Sequence, residues 1–255
     1  MKTPVCFWRM FFKLLIAAAI TLTAGQAMAD DIRVAAASNF SEVIKSIANR
    51  FEVATGHRVI LIFGSTGKHY AQIRHGAPFD AFFAADIQRP ERLEDEGLAV
   101  PGSRFTYALG KLVLWSQEPG YVDPEGKVLQ LGEFRHLAFA NPQLAPYGVA
   151  AREVLQASGL WNELDKRFVR GENIGQAFQF VKSGNAELGF IARSQVIRVG
   201  RVVEGSLWEV PQALYTPIEQ QAVILNDKKA VRAFMSFVRD EEAIRIIRDH
   251  GYDTP

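Results

Sequence analysis

From residue 32 onward the chain alternates short apolar runs with amphipathic stretches of helical period. IRVAAAS (32–38) is apolar almost throughout and predicts a buried strand. FSEVIKSIANRFEVATG follows, placing Phe40, Val43, Ile44, Ile47 and Phe51 on one stripe and ending at Gly56, the spacing of a helix packed on one face. Asn39, with Glu42 three residues later, predicts a capping box at its start. RVILIF (58–63) predicts a second strand, GSTG a turn and KHYAQIRHG a short helix. FDAFFAAD (79–86) predicts a third strand, and a charged helix runs from Pro90 to about Glu96.

FTYALGKLVLWS (105–116) is long and apolar, and QEPGYVDPEGK after it is a polar, Gly/Pro-rich surface excursion. The pattern then restarts. LAFAN (137–141), RFVRGE and ELGFIA (187–192) predict strands, separated by the helices GVAAREVLQASG and IGQAFQFVKSG. YTPIEQQAVIL (215–225) predicts a returning strand, and two closing helices bury Val231, Phe234, Phe237, Val238, Ile244 and Ile247. Such alternation predicts an α/β chain built as two lobes, each a mostly parallel sheet flanked by helices. The closing helices rejoin the first lobe. The expected division is 30–108 plus 218–255 for lobe I and 109–217 for lobe II, with hinge motion about residues near 105–116 and 215–225.

The first 29 residues do not belong to this alternation. Lys2, Arg9 and Lys13 precede an apolar run from Leu14 to about Ala24, and Ala27-Met28-Ala29 follows it, the pattern of a secretory signal cleaved after Ala29. A spanning anchor is the alternative, but the run is shorter than the roughly 20 residues a membrane helix needs. Cleavage removes Cys6, the only cysteine, and leaves 26 basic against 28 acidic residues, a net charge of −2. An exported, disulfide-free protein fits a bacterial periplasm. Near-neutral charge without a basic cluster argues against nucleic acid.

One short stretch raises a question of chemistry. FGSTGKHY (63–70) resembles the end of a nucleotide phosphate loop, but His69 stands where a magnesium-binding hydroxyl is required and Ile62 where the first glycine is required. What is left is a strand ending in a Gly/Ser/Thr turn that opens a helix, which either caps the helix or holds an anion. The construction recurs. Ser38-Asn39, Ser65-Thr66, the segment NPQLAPYG before Gly148, and Asn173-Ile174 with Gln176 all stand between a strand and a helix. In open α/β sheets such turns share the carboxyl edge, where ligands bind.

In their order and spacing, AAASNF, FGSTG, YAQI, GAPFDAFFAAD, ANPQLAPYGVA, ENIGQA and LGFIA resemble the periplasmic molybdate-binding proteins of molybdate ABC transporters, a type II periplasmic solute-binding family. The similarity runs through essentially the whole chain after residue 29. It implies a two-lobe protein that closes on molybdate or tungstate and delivers it to an inner-membrane ABC permease, acting as a monomer, without enzymatic activity, cofactor or directly bound metal cation. Carried over by motif, Ser38 and Asn39 supply the first loop, Ser65 and Thr66 the second, Tyr147 the third and the Ile174 backbone N–H the fourth. Many relatives carry a tyrosine where Ala192 stands here, a hydroxyl that Tyr147 takes over in a subgroup.

The residue types suit that cargo. Molybdate carries two charges and no proton near neutral pH, so a site made only of donors matches all four oxygens. Phosphate retains a proton, which such a site leaves unpaired at a penalty of about 1–3 kcal/mol. Sulfate is excluded only by size. Lys68 either strengthens the local field or is a solvated first-turn lysine. The five histidines lie on separate elements without ligand spacing, and no nucleophile elbow is present. Two rivals remain: the same fold binding sulfate or another small anion, and a hydrolase or transferase using Asp80 and Asp86 as paired carboxylates.

Overall fold

The computed structural model describes residues 29–199, 201–202 and 204–255, so the expected leader lies almost wholly, and Cys6 wholly, outside the described residues. Residues 31–255 form one compact unit. Within it the strands assemble into two five-stranded sheets and one two-stranded hairpin.

The first sheet has the order β2-β1-β3-β12-β4, with β1 at Asp31–Ala37, β2 at Arg58–Gly64, β3 at Ala81–Phe83, β4 at Phe105–Gly110 and β12 at Ile218–Ile224. β1 pairs in parallel with β2 and β3, whereas β12 runs antiparallel to both β3 and β4. The second sheet has the order β11-β5-β8-β6-β7, with β5 at Leu112–Ser116, β6 at Leu137–Ala140, β7 at Phe168–Gly171, β8 at Leu188–Ala192 and β11 at Ser206–Glu209. Here too, β6 is parallel to β7 and β8, while β5 is antiparallel to β8 and β11. Each sheet is therefore mixed. The α/β two-lobe expectation holds, but parallel pairing stops at three strands per sheet, because the strands that carry the chain between lobes must return against the others.

The apolar run 105–116 is not one strand. β4 ends at Gly110 in the first sheet and β5 begins at Leu112 in the second, so Lys111 alone makes the crossing. Leu109 and Gly110, placed by the sequence pattern in the second lobe, pair with β12 in the first. β3 is likewise shorter than FDAFFAAD suggests, because the chain leaves the sheet after Phe83.

Eight helices flank the sheets among the described residues. α1 (Ser41–Thr55) turns Val43, Ile44, Ile47 and Phe51 into the core and ends on Gly56 at φ 76°, a left-handed C-cap that favours glycine. α7 (Lys229–Phe237) and α8 (Glu241–Asp249) join the same core, with Phe234 edge-on to Phe51 at 5.1 Å. Val231, Phe234, Val238 and Ile247 are buried as expected; Phe237 and Ile244 are half-exposed, and Met235 and Ala243 fill the space. The remaining helices are α2 (Thr66–Arg74), α3 (Gln88–Asp95), α4 (Val128–Leu131), α5 (Pro146–Ala157) and α6 (Ile174–Lys182).

Strand register decides which loops meet. β1 pairs with β2 so that Ala37 opposes Gly64, and β6 with β7 so that Ala140 opposes Gly171. Ser38 and Ser65 thus leave the first sheet side by side, as Asn141 and Glu172 leave the second. Gly148, in the first turn of α5, permits a close approach to this edge: a Cβ there would lie 2.1 Å from the Ala140 carbonyl oxygen. Gly148→Ala is expected to destabilise the protein by about 2–3 kcal/mol, since a strand carbonyl cannot yield as a side chain does. Urea unfolding would read the shift in midpoint.

Candidate functional site

Ser38, Asn39, Ser65, Thr66, Tyr147 and Ile174 all line one small cavity between the two sheets, together with Gly64, Ala85 and Asn173. It is a cavity of about 10 Å³, room for the centre of one water-sized body. Four segments meet there: the turn of 3-10 helix Ser38–Phe40 and the starts of α2, α5 and α6. A helix leaves its first N–H groups without internal partners. The backbone N–H groups of Thr66, Tyr147 and Ile174 occupy such first-turn positions, and the positive ends of three helix dipoles lie behind them.

The hydroxyl groups share one arrangement. Ser38 Oγ accepts the Gly175 N–H at 3.1 Å, Ser65 Oγ accepts the Lys68 N–H at 3.3 Å, and Thr66 Oγ1 accepts the Ala85 N–H at 3.0 Å. The Tyr147 hydroxyl accepts from Gln220 Nε2 at 3.3 Å. Each oxygen is already engaged as an acceptor, which leaves its O–H proton to be donated. Burial, reinforced by the neighbouring phenols Tyr252 and Tyr107, holds the Tyr147 hydroxyl well above the ordinary tyrosine range, so that proton stays in place at any physiological pH.

Asn39 departs from the expected capping role. Phe40, not Asn39, precedes α1, no side chain caps that helix, and Glu42 pairs with Lys45 instead. The Asn39 amide is buried and donates to Gln220 Oε1 at 2.7 Å and to the Tyr252 hydroxyl at 2.9 Å. The Asn39 carbonyl accepts from the Tyr252 hydroxyl at 2.8 Å and, across the cleft, lies 3.2 Å from Ser194 Oγ. Tyr107 completes the network, 3.0 Å from Gln220 Oε1. Burial raises the Tyr252 pKa to about 12. Gln220, Tyr252, Tyr107 and Ser194 therefore support the site from behind. Sequence reasoning missed them: Gln220 is fully buried, but it stands in the polar run Glu219-Gln220-Gln221 of β12, where nothing local singles it out.

The Asn173 cap forms nearly as expected. Its Oδ1 accepts the Gln176 N–H at 3.0 Å, and Gln176 Oε1 reaches back one residue further, to the Glu172 N–H at 2.7 Å. Lys68 points away from the cavity and pairs with Glu172 at 2.9 Å, a half-exposed contact between the lobes. Gly67 N–H donates to the Leu144 carbonyl at 2.9 Å, a second such contact. Ala192 is fully buried in β8, its N–H donating to Gln195 Oε1.

The two carboxylates considered for catalysis are engaged elsewhere. Asp80 accepts from the Arg33 N–H, Asn226 and Lys228, and Asp86 accepts from the Arg89 N–H and pairs with its guanidinium. Neither lines the cavity, and among the described residues no cluster of three metal-ligating side chains occurs.

His69, one turn into α2, supports the second loop. Its ring packs between Phe79 and Phe82, its Nδ1 meets Gln72 Oε1 at 3.1 Å, and its buried Nε2 has no partner. A Cβ on Gly64 would lie 2.9 Å from that nitrogen, so glycine is needed for the ring to sit under the loop. Burial lowers the His69 pKa below 6.5, against the opposing pull of Gln72 and the Ala36 carbonyl.

Known proteins resemble this chain over most of its length. The profile of the bacterial extracellular solute-binding proteins matches residues 32–253. The molybdate-binding protein ModA of Azotobacter vinelandii is 50% identical over 243 residues, covering 94% of this chain and 96% of that protein. ModA of Rhodobacter capsulatus is 46% identical over 93% of this chain and 95% of its own length. The solved structure of the Azotobacter vinelandii periplasmic molybdate-binding protein superposes with a TM-score of 0.85, covering 88% of this chain and 99% of that one.

A pH dependence follows from His69. The unfolded chain takes up a proton near pH 6.5 and the folded chain only below that, so this contribution to stability is complete above about pH 6.5 and is lost as the pH falls through it. The gap in Tm between the wild type and His69→Gln is expected to narrow by a few degrees from pH 7.5 to 5.5. Parallel curves in differential scanning calorimetry would contradict this.

Proposed function

Because this chain belongs to the bacterial extracellular solute-binding proteins, we propose that it captures molybdate, and tungstate of like geometry, between its lobes and passes it to an inner-membrane ABC permease. The observation that carries this reading is the set of hydroxyl and first-turn N–H donors that line the cavity, with no carboxylate among the lining residues. Four hydroxyls each accept from an N–H group and keep an O–H proton to donate onward, and first-turn backbone N–H groups stand beside them. A dianion without a proton satisfies every one of these donors. No cation is required, because each charge-assisted hydrogen bond contributes about 1.5–3 kcal/mol before desolvation.

In this reading Ser38, Ser65, Thr66 and Tyr147 donate their hydroxyl protons, and Asn39 and Ile174 donate through the backbone, since the Asn39 amide is committed to Gln220 and Tyr252. Tyr147 supplies the hydroxyl that relatives place at the position of Ala192. Selectivity over sulfate rests on size. Donors are fixed on both lobes, and contacts such as Gly67 with Leu144 and Ser38 with Gly175 limit how far the lobes can close on a smaller ion. Capture needs no bond making or breaking, so the protein works by binding and release alone. Residues 1–29 are read as a leader cleaved after Ala29, which places the mature monomer in the periplasm.

Molybdate at about 100 times its Kd is expected to stabilise the mature protein by about 2.7 kcal/mol. At roughly 2–4 °C per kcal/mol this is a rise in Tm of about 5–10 °C. Equal stabilisation by sulfate would assign the site to the smaller anion instead. By calorimetric titration, Ser38→Ala and Tyr147→Phe are each expected to weaken molybdate binding about 10- to 100-fold, the loss of one charge-assisted bond. Unchanged affinity in both would remove these hydroxyls from the site.

A further inference from the structure

The anion cavity adjoins a second, larger space. A groove of about 600 Å³ opens between the lobes beside it, and Ser38 and Asn39 line both. Each lobe contributes to the groove an aromatic ring topped by a lysine: Lys45 lies 5.4 Å from the Phe63 ring centroid on the first lobe, and Lys182 lies 5.7 Å from that of Phe178 on the second. Arg198 adds a third cation, anchored by Nη1 to the carbonyls of Ser194 and Ile197.

The charges in the groove are not balanced. Lys45 has Glu42 at 2.9 Å, in an exposed and therefore screened pair, and Glu204 also lines the groove. Among the described residues, Lys182 and Arg198 have no carboxylate within ion-pair distance. The cations nearer the anion cavity differ in this respect, since Lys68 pairs with Glu172 and Arg89 with Asp86. α6 joins the two spaces directly. Its first residue, Ile174, lines the cavity and its last, Lys182, lines the groove, about 12 Å apart along the helix. That span is close to the screening length at moderate salt, about 10 Å at 0.1 M.

The mature chain carries a net charge of −2 and its cavity holds no cation, so at long range the molecule as a whole repels a dianion. We propose that the groove is the access port for the oxyanion: Lys45, Lys182 and Arg198 form an encounter site that draws a tetrahedral dianion to the cleft and releases it onto the donors at Ser38 and Asn39. The port acts on arrival more than on the final bound state, because its cations lie outside the cavity. This inference rests on the molybdate reading of the cavity.

The test is stopped-flow tryptophan fluorescence of the mature protein mixed with molybdate, since Trp115 lines the groove with its ring 5.3 Å from that of Phe178. At about 20 mM salt the double variant Lys45→Gln/Lys182→Gln is expected to bind about 3- to 10-fold more slowly, with a dissociation rate within about twofold of wild type. The difference should vanish by about 0.5 M salt, where screening shortens to a few ångströms. Lys127→Gln/Lys166→Gln, with the same loss of charge at exposed sites outside the groove, is expected to leave the association rate unchanged. An unaltered association rate in the groove variant, an equal slowing in both variants, or a change carried by dissociation would each overturn the port. Wild-type protein giving no molybdate heat in calorimetry would overturn the functional reading itself, a result the groove variants cannot produce.

Discussion

Buried helix starts impose the constraint on which the rest of this structure depends. N–H groups at the start of a helix have no carbonyl to bond within it, and hiding them from water is costly unless an acceptor is supplied. Here three helices begin at one cavity, and each of the hydroxyls around it accepts one N–H bond, from Gly175, Lys68, Ala85 and Gln220. Each keeps its own O–H proton to donate, so the cavity is rich in donors. No charged side chain is among the residues that line it.

Rigidity behind the loops holds that arrangement in place. Gln220 is fully buried in β12 and ties Asn39, Tyr107 and Tyr147 together, while Tyr252 near the C-terminus holds both ends of Asn39. Residues from the first lobe, the returning strand and the chain terminus thus fix the first loop, and Ser194 reaches it from the second lobe. Small ions of equal charge differ by fractions of an ångström, and only loops held from several directions can tell them apart. Lys111, the single residue between the sheets on that side, is itself held by Asp253 at 2.7 Å and by the Arg193 N–H at 2.9 Å.

Much of this was legible in the sequence, for reasons that differ by element. β1, β2 and α1 carried long, strongly periodic patterns, and their core positions followed directly. The segment FDAFFAAD was overextended because apolar composition continues past Phe83, while the chain itself leaves the sheet to bring Ala85 to Thr66. The run 105–116 concealed a change of sheet, since both halves are equally apolar and nothing local marks Lys111. The cavity residues were found through recurring strand-turn-helix starts and a family resemblance. Their supporting network was not, because the partners of Asn39 lie 181 and 213 residues away, and local spacing carries no trace of contacts so distant.

The position of β12 also governs the order in which the chain can fold. It lies between β3 and β4, so the first sheet stays divided until residue 224 has been made, whereas the strands of the second sheet all fall between Leu112 and Glu209. During synthesis the second lobe can close on its own, but the first remains an open template awaiting the strand that joins β4 to the rest of its sheet. A polypeptide whose first sheet is held open in this way brings Ser38 and Ser65 to their final places beside the second lobe only after β12 has been added.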